Sequence, residues 1–85
     1  SFNSYVAPNP FSDYSSIYFP NLDMLSENDL CLKVVDVVGR PINLKYNLNK
    51  GSFSFSAAHL KSGIYFYQIL NKDKLLSDGN FLITR

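Results

Sequence analysis

The strongest constraint on this chain is a repeat of two. Ile42, Leu44, Tyr46 and Leu48 alternate with Asn43, Lys45 and Asn47, and Phe53 and Phe55 alternate with Ser52, Ser54 and Ser56. Successive side chains of a strand point to opposite faces, so this spacing buries one face and wets the other. Gly63–Leu70 (GIYFYQIL) is aromatic and β-branched and predicts another strand. Leu30–Val38, apolar apart from Lys33 and Asp36, reads as a strand central to its sheet. Tyr14–Phe19 and Phe81–Thr84 extend the set, with Ser4–Ala7 as a first strand and Leu75-Leu76 as a short one. Turn signals separate these runs: Pro8-Asn9-Pro10, Pro20-Asn21, Val37-Val38-Gly39, Asn49-Lys50-Gly51, Asn71-Lys72-Asp73 and Ser77-Asp78-Gly79-Asn80. Ser56–Lys61 leaves room for one helical turn at most. The pattern predicts an all-β fold, a small immunoglobulin-like antiparallel β-sandwich of about seven strands in two sheets. With 85 residues, a hydrophobic fraction of 46%, seven Phe and six Tyr, the chain forms one domain whose core needs neither metal nor disulfide.

Composition also narrows the function. Cys31 is the sole cysteine, which excludes an internal disulfide and a multi-cysteine zinc site; its apolar strand predicts that it is buried. Net charge is +1 but unevenly spread. Residues 1–39 set one base, Lys33, against five acids (Asp13, Asp23, Glu27, Asp29, Asp36) for a net −4, while residues 40–85 set seven bases against two acids (Asp73, Asp78) for a net +5. The bases stand singly among strands and turns, unlike the clustered patch of a nucleic-acid binder, so no nucleic-acid partner is expected. No apolar run approaches a membrane-spanning length, and no basic-then-apolar leader precedes the first strand. We therefore expect a terminal module of a longer protein, carried out of the cytoplasm by a segment upstream. His59 and Cys31 form no nucleophile–base set with an orienting third group. The acids from Asp23 to Asp29 lack the spacing and glycine of a calcium loop and read as a solvated segment. No glycine loop for phosphate is present. Neither catalysis nor a cofactor is expected.

Four segments have definite local chemistry. Pro8-Asn9-Pro10 is a rigid corner, because two prolines fix φ and remove two donors while Asn9 is pushed to an extended conformation. It would let Ser4–Ala7 leave one sheet while Tyr14–Phe19 begins elsewhere. Asp36-Val37-Val38-Gly39-Arg40 reads as a three-residue hairpin loop: Asp36 accepts the N–H two residues on, Gly39 takes the positive φ, and Arg40 returns within reach of Asp36. Leu60-Lys61-Ser62-Gly63-Ile64-Tyr65 launches the strongest strand, with Gly63 at its entry and Leu60 and Ile64 as apolar anchors. Tyr65 and Tyr67 share one face, as core rim or docking surface, and Phe66 lies on the other, in the core. Asn80-Phe81-Leu82-Ile83-Thr84-Arg85 closes the chain as a strand at a sheet edge, where unpaired backbone groups offer a partner something to grip.

In this order and at these separations, Pro8-Asn9-Pro10, Asp36-x-x-Gly39-Arg40 and Leu60-x-x-Gly63-x-Tyr65 resemble the type A C-terminal sorting domain of the type IX secretion system. The resemblance runs from about Tyr5 to Arg85. It departs from the family pattern at Ala7, where a tyrosine is usual, and at Asn80, where lysine is common. It implies a linker and first edge strand over residues 1–7 and the sorting domain proper over 8–85. It further implies a cargo domain on the N-terminal side, export through the periplasm to the outer-membrane surface or medium, and recognition of residues 80–85. The implied partners are the translocon, an outer-membrane shuttle β-barrel, and a sortase-like peptidase that often cuts upstream of Pro8. Two other readings stay open: a carbohydrate-binding or adhesion module with Tyr14, Tyr18, Tyr65 and Tyr67 as an aromatic platform, and a passive immunoglobulin-like spacer.

Overall fold

A computed structural model describes residues 3–20 and 27–85. Its strands are β1 (Tyr5–Ala7), β2 (Tyr14–Tyr18), β3 (Leu30–Val35), β4 (Pro41–Ile42), β5 (Tyr46–Asn49), β6 (Ser52–Ser56), β7 (Gly63–Asn71) and β8 (Lys74–Ile83), and a 3₁₀ turn at Glu27–Asp29 leads into β3. They form two four-stranded antiparallel sheets, ordered β1-β2-β6-β5 and β4-β3-β7-β8. The inward faces meet in one core, in which Ile17, Phe19, Phe53, Ile69, Tyr67, Phe81 and Ile83 are the largest fully buried side chains. Each such side chain contributes about 1.5–3 kcal/mol by leaving water.

The alternating run Ile42–Leu48 is not one strand. Pro41–Ile42 pairs with β3 in the second sheet, residues 43–45 cross the side of the sandwich, and Tyr46–Asn49 pairs with β6 in the first. The period of two survives the crossing because Ile42, Leu44, Tyr46 and Leu48 all contribute to the same core from either sheet. Leu75-Leu76 and the run from Phe81 are likewise joined, as two parts of the ten-residue β8, which ends at Ile83 and not Thr84, and the intervening Ser77-Asp78-Gly79-Asn80 is strand and not turn. Gly79 is there for close approach: a Cβ on it would lie 2.7 Å from the Tyr67 hydroxyl, since the Tyr67 ring packs directly over it from the paired strand. The run from Leu30 ends as strand at Val35, and Asp36 starts the turn.

The proline corner also does other work than expected. β1 and β2 stay in the same sheet, paired Tyr5↔Tyr18 to Ala7↔Ser16. Between them the chain swings across to the second sheet and returns. Both Ala7-Pro8 and Asn9-Pro10 are cis. Phe11 forms a parallel bridge with Ile83 of β8, donating its N–H to the Leu82 carbonyl (3.1 Å) and accepting the Thr84 N–H (2.9 Å). Phe11 is only 6% exposed and packs against Phe55 and Phe81. One corner thus ties the two sheets together along the β1–β8 side. Ser4 adds to the tie, its hydroxyl sharing hydrogen bonds of 2.6 Å with Tyr67 and with Ser77.

Candidate functional site

The four segments singled out in the sequence lie at one end of the sandwich. β7 begins there at Gly63 and β8 ends there at Ile83, its register partner. β3 reaches the same end, where Val35 faces Phe66, so Asp36–Arg40 follows on beside the first residues of β7. Asn9 brings the proline corner in, accepting the Leu82 N–H on its side-chain oxygen (2.9 Å). Arg85 fastens the last residue by donating through its two terminal nitrogens to the carbonyls of Leu60 and Ala57, with its Nε 3.9 Å from Asp13.

Each segment has a local reason for its residues. Asp36 accepts the N–H of Val38 (3.0 Å) and of Arg40 (2.9 Å) and pairs with the Arg40 guanidinium at 2.7 Å. Gly39 sits at φ +91°, where a side chain would be strained, so the hairpin forms as anticipated, two residues of return strand included. The Arg40 N–H, the largest influence, holds the Asp36 carboxyl below its ordinary value; partial burial opposes it, and the Arg40 side chain and Val38 N–H add to it. In the Leu60 segment, Leu60 donates to the Ala57 carbonyl (2.9 Å) and Tyr65 reaches back to donate its hydroxyl to the Lys61 carbonyl (2.8 Å). Gly63 lies between them at φ +146°, and Tyr65 stacks on Phe81. The tyrosine therefore braces the turn from inside the core.

That inward position overturns one reading of β7. Tyr65 (6% exposed) and Tyr67 (2%) are core, whereas Phe66 is 44% exposed on the outer face. Ile64 is exposed too and is not an anchor. Alternation is silent where both faces are apolar; what decides is which residues fit a layer shared with Phe81 and Gly79. The outer face that results is apolar: Ile64 opposite Leu82, and Phe66 opposite Val35 and Asn80. Val37 and Val38 extend it, exposed in the adjoining turn.

The terminal strand is an edge strand, but its edge is not bare throughout. The outward groups of Leu82 and Thr84 are taken by Asn9 and Phe11. Because residue pairs alternate along an antiparallel ladder, the outward N–H and C=O groups next in line belong to Asn80 and Asp78. No hydrogen bond from a described residue reaches them. Asn80 itself is exposed, and Phe81 and Ile83 are core.

The proposed aromatic platform does not assemble. Tyr14 and Tyr18 lie on the outer face of the first sheet, flanking a trough of about 480 Å³ floored by Ser16 and Ser54, while Tyr65 and Tyr67 point into the core. Cys31 is half-buried, not buried, and pairs with Leu70 at the far end of β7 from His59. Among the described residues no group of three His, Cys, Asp or Glu is placed to hold a metal, and no helix is long and apolar enough to cross a membrane. Part of the Asp23–Asp29 segment lies outside the described residues. Sequence reasoning missed Phe11. The signal was there: a lone large apolar residue between a proline corner and polar Ser12-Asp13 has to dock somewhere.

Comparison with known proteins agrees with this geometry at two levels. The crystal structure of the Lin-41 filamin domain superposes with a TM-score of 0.61 over 99% of this chain and 94% of that one, at 17% identity, which establishes an immunoglobulin-like sandwich and nothing more. No curated protein matches the chain. The sequence model of the secretion-system C-terminal sorting domains matches residues 5–83, from the start of β1 to the end of β8. The chain belongs to the type IX secretion C-terminal sorting domain family.

Proposed function

We propose that this domain is a folded address label, read at the end of the sandwich where the four segments converge. Membership of the family places it on the route to the outer-membrane surface or the medium. In our reading residues 1–7 are the linker and first edge strand, and a cargo domain on their N-terminal side in the same polypeptide is carried through the periplasm. The type IX translocon and an outer-membrane shuttle β-barrel engage the second sheet at Ile64, Phe66 and Leu82, beside the carboxyl end. A sortase-like peptidase then cuts on the N-terminal side of Tyr5, because from Tyr5 onward the chain is paired into a sheet. The domain itself performs no catalysis. The observation that carries this reading is the apolar outer face lying next to the C-terminal strand, a combination that a passive spacer has no use for.

Fusing residues 1–85 behind a periplasmically targeted fluorescent protein, in a bacterium with a type IX system, tests it. Export comparable to that given by an established sorting domain is expected; retention in the periplasm would refute the reading. A truncation at Asn80 would take Phe81 and Ile83 out of the core and so could not separate recognition from folding. Leu82→Ser, exposed on the outer face, is the sharper variant.

A further inference from the structure

We infer that β8 receives an extended strand of its export partner, which nucleates on the open edge at Asp78–Asn80 and then displaces Asn9–Phe11 from Leu82–Thr84. This rests on the sorting reading above and specifies its binding mode. The chain's own strap is the template for the occupant. Phe11 pairs with β8 in parallel fashion, its N–H on the Leu82 carbonyl and its C=O on the Thr84 N–H. A continuous parallel strand would place its next carbonyl, two residues earlier, on the Leu82 N–H. Here the Asn9 side-chain oxygen stands in for that carbonyl at 2.9 Å. The imitation stops there. The Asn9 N–H, which a continuous parallel strand would place on the Asn80 carbonyl, makes no such bond, and Asn80 and Asp78 keep their outward groups free of any described residue.

The strap is therefore a short incumbent on an edge built for a longer strand. The incoming segment needs backbone donors and acceptors over the length Asp78–Thr84, a parallel direction, and one aromatic side chain. That side chain must refill the place of Phe11 between Phe55 and Phe81, whose ring centroids lie 5.6 and 5.5 Å from its own. Without the aromatic, displacement would leave a hole in the core. Because the strap directly follows β1, its release also loosens the junction on the cargo side.

Two variants of the exported fusion test this, both in a Cys31→Ala background. Ser12→Cys/Thr84→Cys joins two exposed residues adjacent in the parallel register and, when oxidised, pins the strap. Asn80→Pro removes an outward N–H that β7 does not use and so blocks an added strand while sparing the sheet. With the purified domains shown to be folded by circular dichroism, each should lower export about tenfold or more relative to the unmodified fusion. The single variant Ser12→Cys, outside both the strap and the edge, should export normally. If the disulfide fails to form, Asn80→Pro decides alone. Normal export of a folded, oxidised Ser12→Cys/Thr84→Cys or of a folded Asn80→Pro overturns the inference and leaves the sorting reading intact. Failure of the unmodified fusion to export overturns the sorting reading, and this inference with it.

Discussion

β6 and β7 are both strands of alternating burial, one in each sheet, and both bury two aromatic residues, yet β7 leaves a third, Phe66, on its outer face. In β6 every second residue is serine, and Phe53 and Phe55 point inward with no competition. In the first half of β7 both faces are apolar, and the chain buries Tyr65, Tyr67 and Ile69 while leaving Ile64 and Phe66, and beyond them Gln68, outside. A strand whose polar residues mark its wet side is built for stability alone. A strand that is apolar on its wet side as well has a second surface to satisfy, and in an exported label that surface is free for a partner.

Substitutions at matched positions would break this contrast most sharply. Phe53→Ala should cost about 3–5 kcal/mol in denaturant unfolding, as for a buried phenylalanine, whereas Phe66→Ala should cost only about 1 kcal/mol, the loss of cross-strand packing on a half-exposed ring. Equal losses at the two sites would show that β7 buries Phe66 after all. Next in size is Gly79→Ala, which pushes a methyl into the Tyr67 ring and should cost about 1–3 kcal/mol. A proton spectrum should then show the Tyr67 ring shifted out of its contact with Ser4.

Two pH effects sharpen the picture at smaller amplitude. Burial, the dominant influence, pushes the Tyr67 phenol above its ordinary value of 10.0; the Ser4 hydrogen bond opposes this and Asp78 adds to it. The folded state thus favours the neutral phenol. The stability it contributes is complete below pH 10.0 and is lost as pH rises through the higher folded value, so alkaline unfolding should begin there and be delayed in Tyr67→Phe. Asp36 has the opposite sign. Its folded value is depressed below 3.8, so its contribution is present above that pH and fades as the solution is acidified further. Asp36→Asn should lower the melting temperature slightly at neutral pH and make no difference in strong acid.

Much of the fold was written in local chemistry. The Asp36–Arg40 hairpin, the glycine at φ +91° and the two-sheet layout all follow from residue types within a few positions of one another. What escaped was set by contacts distant in sequence. Ser77–Asn80 has turn composition, but Gly79 is needed by Tyr67 across the ladder, twelve places away in the chain. The proline corner reads as an exit from a sheet, and only the partnership of Asn9 and Phe11 with β8, more than seventy residues on, reveals it as a clamp. The convergence of the four segments at one end of the molecule is equally a product of register that no single segment carries.

The central claim is that the outer face of the second sheet, beside the C-terminal strand, is what the secretion machinery reads. The most direct measurement is the export of a fluorescent fusion carrying Ile64→Ser/Phe66→Ser, with the purified domain's unfolding curve recorded alongside. A domain that still unfolds cooperatively, if at somewhat lower denaturant, yet strands its cargo in the periplasm is the predicted result. Undiminished export by that same folded variant would contradict the account.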